Sequence, residues 1–492
     1  MITIGIDLGT TNSCVAFHDG KSVEVIDMAD GRKTMPSVVS FMEDGEILVG
    51  QAALDQVNKN TEFTFQHVKR LIGRKFQDNI DVGTQQAEGP DGMIWLKGRD
   101  RLYSPAEISS LILKEMKTAA EERIGQPVDG VVIGVPAGFY QDQRAATIEA
   151  GKMAGFLEVE LEEEPTAAAI AYALDKKKFA TVAVFDLGGG TFDIAIMEVG
   201  RGKFKPLDKN GNMRLGGINF DKRIMDWAIE KHKAETGVDL RQKPFATTLL
   251  LDASETGKKD LTKRQKTDIV ARFLYSDMET NAPRHLTYTL TKDEFEELAE
   301  DLVLEALEIC AICLKMAERT VSQIDEVILV GGMTRMPMVQ DAVKAFFKRA
   351  PLKSINPDEA VAKGCAIKAA NSDGRLNISY SDVVSMSFGI ETASGAFMPV
   401  ILKGSPYGAE ESVVVTTVRD AQLAMAIGVF QGEGLTAQEN NLVMDYRHAV
   451  PEGPAGEHGL KLTFRVGENG LLSVKGADVS APDVLIEIGE IA

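Results

Sequence analysis

Cysteine, tryptophan and basic residues are scarce in this sequence. Its 492 residues include only Cys14, Cys310, Cys313 and Cys365 and two tryptophans, and 54 lysines and arginines face 73 acidic residues, for a net charge of −19. So few cysteines exclude a disulfide scaffold, and we expect a reducing, cytoplasmic location. The shortage of positive charge argues against nucleic acid as a main ligand, because little would neutralise a phosphate backbone.

Long apolar runs are also missing. None reaches membrane-spanning length, and the chain begins directly with an apolar strand, so we expect no signal peptide and no membrane association. Cys310 and Cys313 have the spacing of half a metal site. They lie within a long helical pattern from Thr291 to Thr320 and have no second Cys/His pair, which favours two buried core residues. The length predicts two or three domains, and we expect a monomer.

The stretch around residue 186 is the most informative. An apolar strand from Thr181 to Phe185 runs into Asp186, three glycines and Thr191, and then continues as a second strand from Phe192 to Met197. Glycines let backbone N–H groups approach an anion, because no Cβ stands in the way. Carboxylates at either end of the loop could hold a hydrated cation beside that anion.

The same layout occurs at the N-terminus. Residues 2–13 read as a strand, then Asp-Leu-Gly, then a Gly/Thr turn, and a second strand follows at Cys14–Phe17. Two tight turns in ordinary hairpins would explain either copy alone. The repeat favours two related lobes, each of which brings one phosphate loop to a shared cleft.

Three further stretches carry candidate site residues. The stretch Val68–Phe76 is basic and helical in pattern; it is either a solvated helix end or the place from which Lys69 reaches phosphate. The run Glu158–Glu164 holds five carboxylates, whose repulsion predicts partial exposure. Its last residue precedes Pro165 and a helix, so it can face the cleft and orient a water. The helix Thr247–Lys263 presents an acid and two lysines on one face, which suits a surface ion pair or a nucleoside contact equally.

The pattern changes after residues 371–375, which end a helix and predict a domain boundary. From Val383 onward, short alternating strands with glycine turns predict an antiparallel β-sandwich. This region holds no catalytic constellation, so a binding role is favoured. The predicted strands are Ser387–Thr392, Phe397–Leu402, Ser412–Val418, Ala424–Phe430, Leu442–Tyr446, Leu460–Val466, Leu471–Lys475 and Val484–Ile488.

Together these stretches resemble the heat-shock 70 (DnaK-type) chaperone family over essentially the whole chain. The resemblance implies an α/β actin-like (duplicated ribonuclease-H-like) ATPase domain at 1–372, whose second lobe starts near 180. A linker at 373–382 and an all-β sandwich at 383–492 that grips extended peptides would follow. The matching pieces are Gly5–Ser13, Lys69–Arg74, Val135–Ala137, Glu164–Ala169, Asp186–Asp193, Val330–Gly332 and Asn356–Ala360.

The resemblance also implies roles for individual residues, with ATP or ADP, Mg²⁺ and K⁺ as cofactors. The catalytic set is Lys69, Glu164, Asp186 and Thr191. The phosphate-binding set is Gly9, Thr10, Thr11, Asn12, Gly188, Gly189, Gly190 and Thr191. The adenosine-binding set is Glu255, Lys258, Lys259, Thr262, Gly331, Gly332, Arg335 and Asp358. The metal-binding set is Asp7, Asp186 and Asp193. The pair that relays the nucleotide state is Pro136 and Arg144. The peptide-cleft set is Ile390, Thr392, Ala393, Val415, Val418 and Met425.

Three departures from the family pattern shape our expectations. The linker stretch Asn377–Asp382 is polar where the family has a run of leucines, so its docking would bury less apolar area. Glu160 stands where the family commonly has an arginine used by J-domain co-chaperones, so we do not expect a standard J-domain partner. The chain ends near Ala492, before the family's helical lid, so it is either a shortened form or a naturally lidless member. Without a lid we expect fast peptide exchange. A nucleotide-exchange factor remains a possible partner.

Three functional hypotheses follow. The leading one is an ATP-dependent chaperone that hydrolyses ATP to ADP and phosphate, binds extended apolar segments of unfolded proteins and acts in the stress response. The second is a nucleotide-binding scaffold for a dedicated partner, with weak or uncoupled hydrolysis; the polar linker and Glu160 favour it, and the intact phosphate loops disfavour it. A small-molecule kinase of the same superfamily is disfavoured by the sandwich and by the lack of an obvious acceptor-binding domain.

Overall fold

The structure is a computed structural model that describes residues 1–80, 82–173, 178–276, 282–352, 356–380 and 382–490. Residue 381 of the predicted linker and residues 491–492 of the predicted sandwich lie outside the described residues. The elements up to residue 173 are, in chain order, β1 (Thr3–Asp7), β2 (Asn12–His18), β3 (Val23–Val25), β4 (Met35–Pro36), β5 (Val39–Phe41), β6 (Ile47–Val49), α1 (Gln51–Leu54), β7 (Thr64–Phe65), β8 (Gln86–Glu88), β9 (Ile94–Lys97), β10 (Leu102–Tyr103), α2 (Pro105–Ile124), β11 (Gly130–Val135), α3 (Gln141–Met153), β12 (Glu158–Glu163) and α4 (Glu164–Ala173).

Further helices and strands continue to residue 372. They are β13 (Ala180–Leu187), β14 (Phe192–Gly200), β15 (Lys203–Asn212), α5 (Gly217–Thr236), α6 (Pro244–Leu261), β16 (Lys266–Ser276), β17 (Pro283–Thr291), α7 (Lys292–Met316), β18 (Glu326–Val330), α8 (Pro337–Phe347) and α9 (Ala360–Ser372). Among the described residues, no helix is long and apolar enough to cross a bilayer.

Two sheets repeat one arrangement. In the first sheet the order is β12-β11-β1-β2-β3, and in the second it is β18-β13-β14-β15. The central strand of each, β1 or β13, pairs in parallel with one neighbour and antiparallel with the strand that follows it in the chain. Asp7 is the last residue of β1, and Asp186 is the last but one of β13. Each glycine loop therefore begins at the C-terminal end of the central strand of its sheet.

Two helices pack between these sheets. Helix α9 packs against β1, β2 and β11, and α4 packs against β13, β14 and α9. Their facing surfaces are rich in small residues, and a Cβ added to Gly364 of α9 would lie 1.8 Å from the carbonyl oxygen of Ala167 in α4. The close helix crossing brings the two sheets, and so the two glycine loops, together.

Several local predictions hold. Ser104 and Glu107 form a capping box at the start of α2, with hydrogen bonds of 3.1 and 2.8 Å. Cys310 and Cys313 are buried core residues of α7, as predicted. The helical prediction for Val68–Phe76 is wrong, because the first residues form only a short 3₁₀ turn, Val68–Arg70.

The prediction that the acidic run is partly exposed holds only for its start. Glu158 is exposed, but Glu162, Glu163 and Glu164 are 2%, 1% and 8% exposed. Repulsion within the run is overcome because each of these three carboxylates meets a lysine from elsewhere in the chain.

The region after residue 383 is a β-sandwich, as predicted. The observed strands are β20 (Phe388–Glu391), β21 (Phe397–Ile401), β22 (Glu410–Thr416), β23 (Ala424–Gln431), β24 (Asn441–Ala449), β25 (Gly459–Val466), β26 (Leu472–Asp478) and β27 (Ala481–Glu490). Each predicted strand overlaps one of them. Within the described residues, two four-stranded sheets, β21-β20-β23-β24 and β22-β25-β26-β27, enclose a common core that includes Phe388, Val429 and Phe464.

The polar linker docks on the second sheet through its main chain. Ser379–Tyr380 forms a short strand, β19, that pairs in parallel with Lys203–Phe204 of β15. Leu376 and Ile378, just before it, pack against the core between the sheets. Main-chain pairing does not depend on a run of leucines, so the linker docks despite its polar composition.

The sandwich also contacts the first sheet's side of the molecule. The side chain of Gln141, at the start of α3, donates to the carbonyl of Gly470 and accepts from the N–H of Leu472, both at 2.9 Å. Leu471 between them is 8% exposed and belongs to the core of the first sheet. One turn of the sandwich thus becomes part of the core beneath α3.

Candidate functional site

A cavity of about 370 Å³ lies between the two glycine loops. Its walls come from both sheets and from the loops after β1, β13 and β18. The predicted residues that line it are Asp7, Gly9, Thr10, Thr11, Asn12, Lys69, Glu164, Asp186, Gly188, Gly189, Thr191, Glu255, Lys258, Lys259, Thr262, Gly331, Gly332, Arg335 and Asp358. A single cavity of this size suits a small molecule with several polar anchors.

The two glycine loops contact each other at the cavity wall. A Cβ added to Gly189 would lie 2.3 Å from the hydroxyl oxygen of Thr11, and one added to Gly190 would lie 2.8 Å from that of Thr10. Gly331, with φ of +82°, closes against the carbonyl of Leu187. Only bare main chain fits at these points, so the backbone N–H groups themselves form the wall.

Lys69 and Glu164 form an ion pair in the cavity wall. The Lys69 Nζ atom donates to Glu164 Oε1 at 2.5 Å, and the two residues are 9% and 8% exposed. Burial lowers the pKa of Lys69, but the negative charges of Glu164 and Asp7 outweigh it, so the pKa is raised overall. The lysine is therefore a fixed positive charge at neutral pH.

The predicted metal ligands Asp7, Asp186 and Asp193 form an acidic group next to this ion pair. Burial, followed by the charge of Glu164, raises the pKa of Asp7 to about 7 and that of Asp193 to about 8, and it raises that of Asp186 well above its usual value. Neither carboxylate oxygen of Asp193 makes a well-formed hydrogen bond among the described residues, although the backbone N–H of Gly138 approaches closely enough to lower its pKa. A buried, unsatisfied acid of this kind fits a cation, which would relieve both the repulsion and the lost hydration.

The acids do not complete a metal site by themselves. Among the described residues, no three histidine, cysteine or acidic side chains are grouped closely enough to hold a metal ion. A Mg²⁺ ion needs only one or two carboxylates from the protein, because it keeps several waters and also binds phosphate oxygens.

The opposite end of the cavity is lined by paired charges. Lys259 pairs with Glu255 at 2.8 Å, and Arg335 pairs with Asp358 at 2.6 Å. Lys258 is 7% exposed and donates to the carbonyl of Gly217 at 3.1 Å. The sequence left open whether this face of α6 forms an ion pair or contacts a nucleoside. The two interpretations are compatible, because the ion-paired side chains also line the cavity.

Two predicted residues lie just outside the lining. Gly190 is buried against Thr10, and Asp193 is buried opposite Asp186 in the hairpin of β13 and β14. Some lining residues were not among the predicted site residues. These residues are Thr34, Gly217, Lys263, Val330, Met333, Met336, Pro357 and Val361. Val330 and Pro357 lie within matching pieces but were given no role, and the fold brings in the others.

The comparison with known families adds one finding. A family model described as Hsp70 protein matches residues 3–485 of this 492-residue chain. The chain belongs to the Hsp70 family. Members of this family are ATP-dependent chaperones that bind ATP or ADP with Mg²⁺ and interact with unfolded client peptides and co-chaperones. The mixed α/β sheets and the sandwich described above agree with the actin-like ATPase domain and β-sandwich of an Hsp70.

The structure divides the residues predicted to line a peptide cleft in this Hsp70 into buried and exposed ones. Ile390 and Met425 are 3% and 4% exposed and belong to the sandwich core. Val418 is 59% exposed, in the loop between β22 and β23. The same loop exposes Leu423, which was not predicted.

Arg144 of this Hsp70 is 3% exposed on α3. It donates to Glu163 at 2.5 Å and to the carbonyl of Phe139 at 3.3 Å. It thus ties the end of β12, next to Glu164, to the segment that follows Pro136.

Proposed function

We propose that this Hsp70 hydrolyses ATP in the cavity and that nucleotide binding controls the grip of its sandwich on extended apolar peptides. We infer that residues 1–372 form one actin-like ATPase domain of duplicated ribonuclease-H-like lobes, with the second lobe from about 180. Residues 373–382 serve as the linker and 383–492 as the peptide-binding sandwich. The repeated strand order of the two sheets supports the duplication.

The cavity wall supports a role in phosphoryl transfer. The loops around Thr10 and Gly189 offer backbone N–H groups to the β- and γ-phosphates. Lys69 would place a positive charge where negative charge develops. The carboxylate of Glu164, which accepts from Lys69 at 2.5 Å, would also accept a hydrogen bond from the attacking water. Asp186 would be the second acid for that water, and Thr191 would lie by the γ-phosphate.

The acidic group supports the cofactor assignment. Asp7, Asp186 and Asp193 would hold Mg²⁺ and K⁺, the last two facing each other across the hairpin. When bound, Mg²⁺ neutralises phosphate charge. The lysines and the acids at the other end of the cavity, together with Gly331 and Gly332, would hold the adenosine.

The exposed loop of the sandwich supports peptide binding. Val418 and Leu423 are 59% and 64% exposed, which leaves apolar side chains free for an extended apolar segment. The main-chain docking of the linker and the contacts of Gln141 connect this sandwich physically to the ATPase side. These contacts favour coupled chaperone activity over an uncoupled scaffold.

ATP should weaken peptide affinity by about tenfold, since coupling between ligand sites typically amounts to 1–3 kcal/mol. The measurement is fluorescence anisotropy of a labelled apolar heptapeptide with Mg-ATP, Mg-ADP or no nucleotide. Val418→Asp should abolish binding, whereas Leu402→Asp, equally exposed at the opposite end of the sandwich, should not. Equal affinity with and without ATP would instead support the scaffold hypothesis.

Glu160 should prevent stimulation by a standard J-domain, because the acidic J-domain motif would meet a like charge. Glu160 is partly exposed on β12 and accepts a hydrogen bond from Ser372 at 3.2 Å. Glu160→Arg should therefore gain stimulation of steady-state hydrolysis, about tenfold, from a J-domain that leaves the unmodified protein unaffected. Glu158→Arg, two residues earlier and exposed, is the control. Strong stimulation of the unmodified protein would refute the assignment.

A further inference from the structure

The end of β12 carries adjacent carboxylates with different surroundings. Glu164 faces the nucleotide cavity and pairs with Lys69. Glu163, one residue earlier, is 1% exposed and meets a separate set of partners on the side of the linker. Since the two residues share a peptide bond, a displacement of Glu163 moves the backbone that carries Glu164.

Glu163 is held by groups from three directions. Arg144 of α3 binds its Oε1 atom at 2.5 Å, and Tyr407 of the sandwich donates to the same atom at 3.2 Å. The Nζ atom of Lys209, from β15, binds the Oε2 atom at 2.8 Å. Residues of α3 and β15 and a residue of the sandwich thus bind the same carboxylate.

Lys209 extends this group to the linker. Its Nζ atom also hydrogen-bonds to Asp382 Oδ1, and the same oxygen accepts from the N–H of Val383 at 2.8 Å. Lys209 and Asp382 are 2% and 6% exposed. With Arg144 and Glu163 they form a neutral buried group of two cations and two anions, which is stable only while every member keeps its partner.

We propose that Lys209 is a positioning residue for ATP hydrolysis, which connects Asp382 of the docked linker to Glu163 and so sets the placement of Glu164 over the attacking water. The proposal rests on the ATPase function proposed above. If the linker dissociated from β15, Lys209 would lose its hydrogen bond to Asp382. The position of Lys209, and with it that of Glu163, would then change. In this way hydrolysis responds to the docking of the linker.

A double-mutant cycle in the full chain tests the connection. Lys209→Met and Asp382→Asn should each slow single-turnover hydrolysis at saturating Mg-ATP about fivefold, a typical effect for coupled neighbours. The double variant should be no slower than either single variant, because both replacements break one path. ATP affinity by calorimetry should stay within about twofold, since neither residue lines the cavity.

The structure offers a matched control. Lys368 of α9 is 5% exposed and pairs with Glu162, one residue further from Glu164 on the same strand, at 3.2 Å. Lys368→Met should combine additively with Asp382→Asn, whereas Lys209→Arg should retain most of the wild-type rate. Additive effects of Lys209→Met and Asp382→Asn would overturn the proposal.

A second readout does not need catalysis. Lys209→Met should increase the hydrogen exchange of a peptide covering residues 376–384 at least about tenfold, because the docked linker loses its buried anchor. Equal exchange in the two proteins would overturn the proposal, whether or not the wild-type protein hydrolyses ATP. Failure of the wild-type protein to hydrolyse ATP would by itself count against the proposed function, and the exchange measurement keeps the two results apart. If Lys209→Met does not fold, Glu163→Gln/Lys209→Met, which removes one charge of each sign, takes its place in both measurements.

Discussion

Replacement of Lys69 by alanine should slow single-turnover ATP hydrolysis by about 10²–10³-fold, the usual cost of losing a preorganised group that stabilises developing charge. The Lys69 ammonium is 9% exposed and lies 2.5 Å from Glu164 Oε1, so its charge is fixed inside the cavity rather than screened by water. Nucleotide binding should change much less, because the glycine loops and the end of the cavity proposed to hold the adenosine remain.

The measurement is rapid-quench hydrolysis with enzyme in excess, together with calorimetric titration of ADP and ATP. Lys59→Ala removes an exposed lysine of the same lobe and should leave both quantities unchanged. Glu164→Gln should also slow hydrolysis, since an amide accepts a hydrogen bond less strongly than a carboxylate does. Hydrolysis within threefold of wild type after Lys69→Ala would exclude the role proposed for this lysine.

Replacement of Gly364 by alanine should destabilise the protein by about 3 kcal/mol, at the upper end of the usual cost of overpacking. An added Cβ would lie 1.8 Å from the carbonyl oxygen of Ala167, which is backbone and cannot rotate away. Helices α4 and α9 would have to separate. Because α4 begins at Glu164 and α9 contributes Val361 to the cavity, nucleotide affinity should fall as well.

The measurement is urea unfolding without nucleotide, followed by far-UV circular dichroism. Gly332→Ala is the matched control, because an added Cβ there meets nothing within 4 Å and the backbone has no positive φ. It should stay within about 1 kcal/mol of wild type, the glycine-to-alanine range without a clash. If Gly364→Ala also lowered the free energy of unfolding by less than about 1 kcal/mol, α4 and α9 would be shown to separate at little cost in stability.

The two glycine loops were predictable because their sequence pattern is local. A strand end, an acid, consecutive glycines and a threonine are adjacent in the chain, and their repetition at Asp7 and Asp186 indicated a shared cleft. The sandwich was predictable for the same reason, since alternation along each strand is a short-range pattern. In the structure the predicted site residues line one cavity, except Gly190 and Asp193, which lie behind its lining.

The acidic run shows where local reasoning fails. Five carboxylates in seven residues predict exposure when only neighbours in the chain are considered. Glu163 is nevertheless buried, because Lys209, 46 residues away, and Arg144, 19 residues away, supply its counter-charges. Lys209 is part of no recognisable motif, and Arg144 was predicted only as one of a relay pair with Pro136. The acidic run alone therefore could not identify either residue as a partner of Glu163.

The amino-acid sequence was enough to determine two glycine loops, a lysine and an acid beside them, and a C-terminal β-sandwich, because each depends on spacing within a few residues. The tertiary structure alone decided which charges pair beneath the strand end at Glu163, how the polar linker docks and where the sandwich sits on α3. Those outcomes depend on contacts between residues far apart in the chain, and such contacts form only where packing has already excluded water.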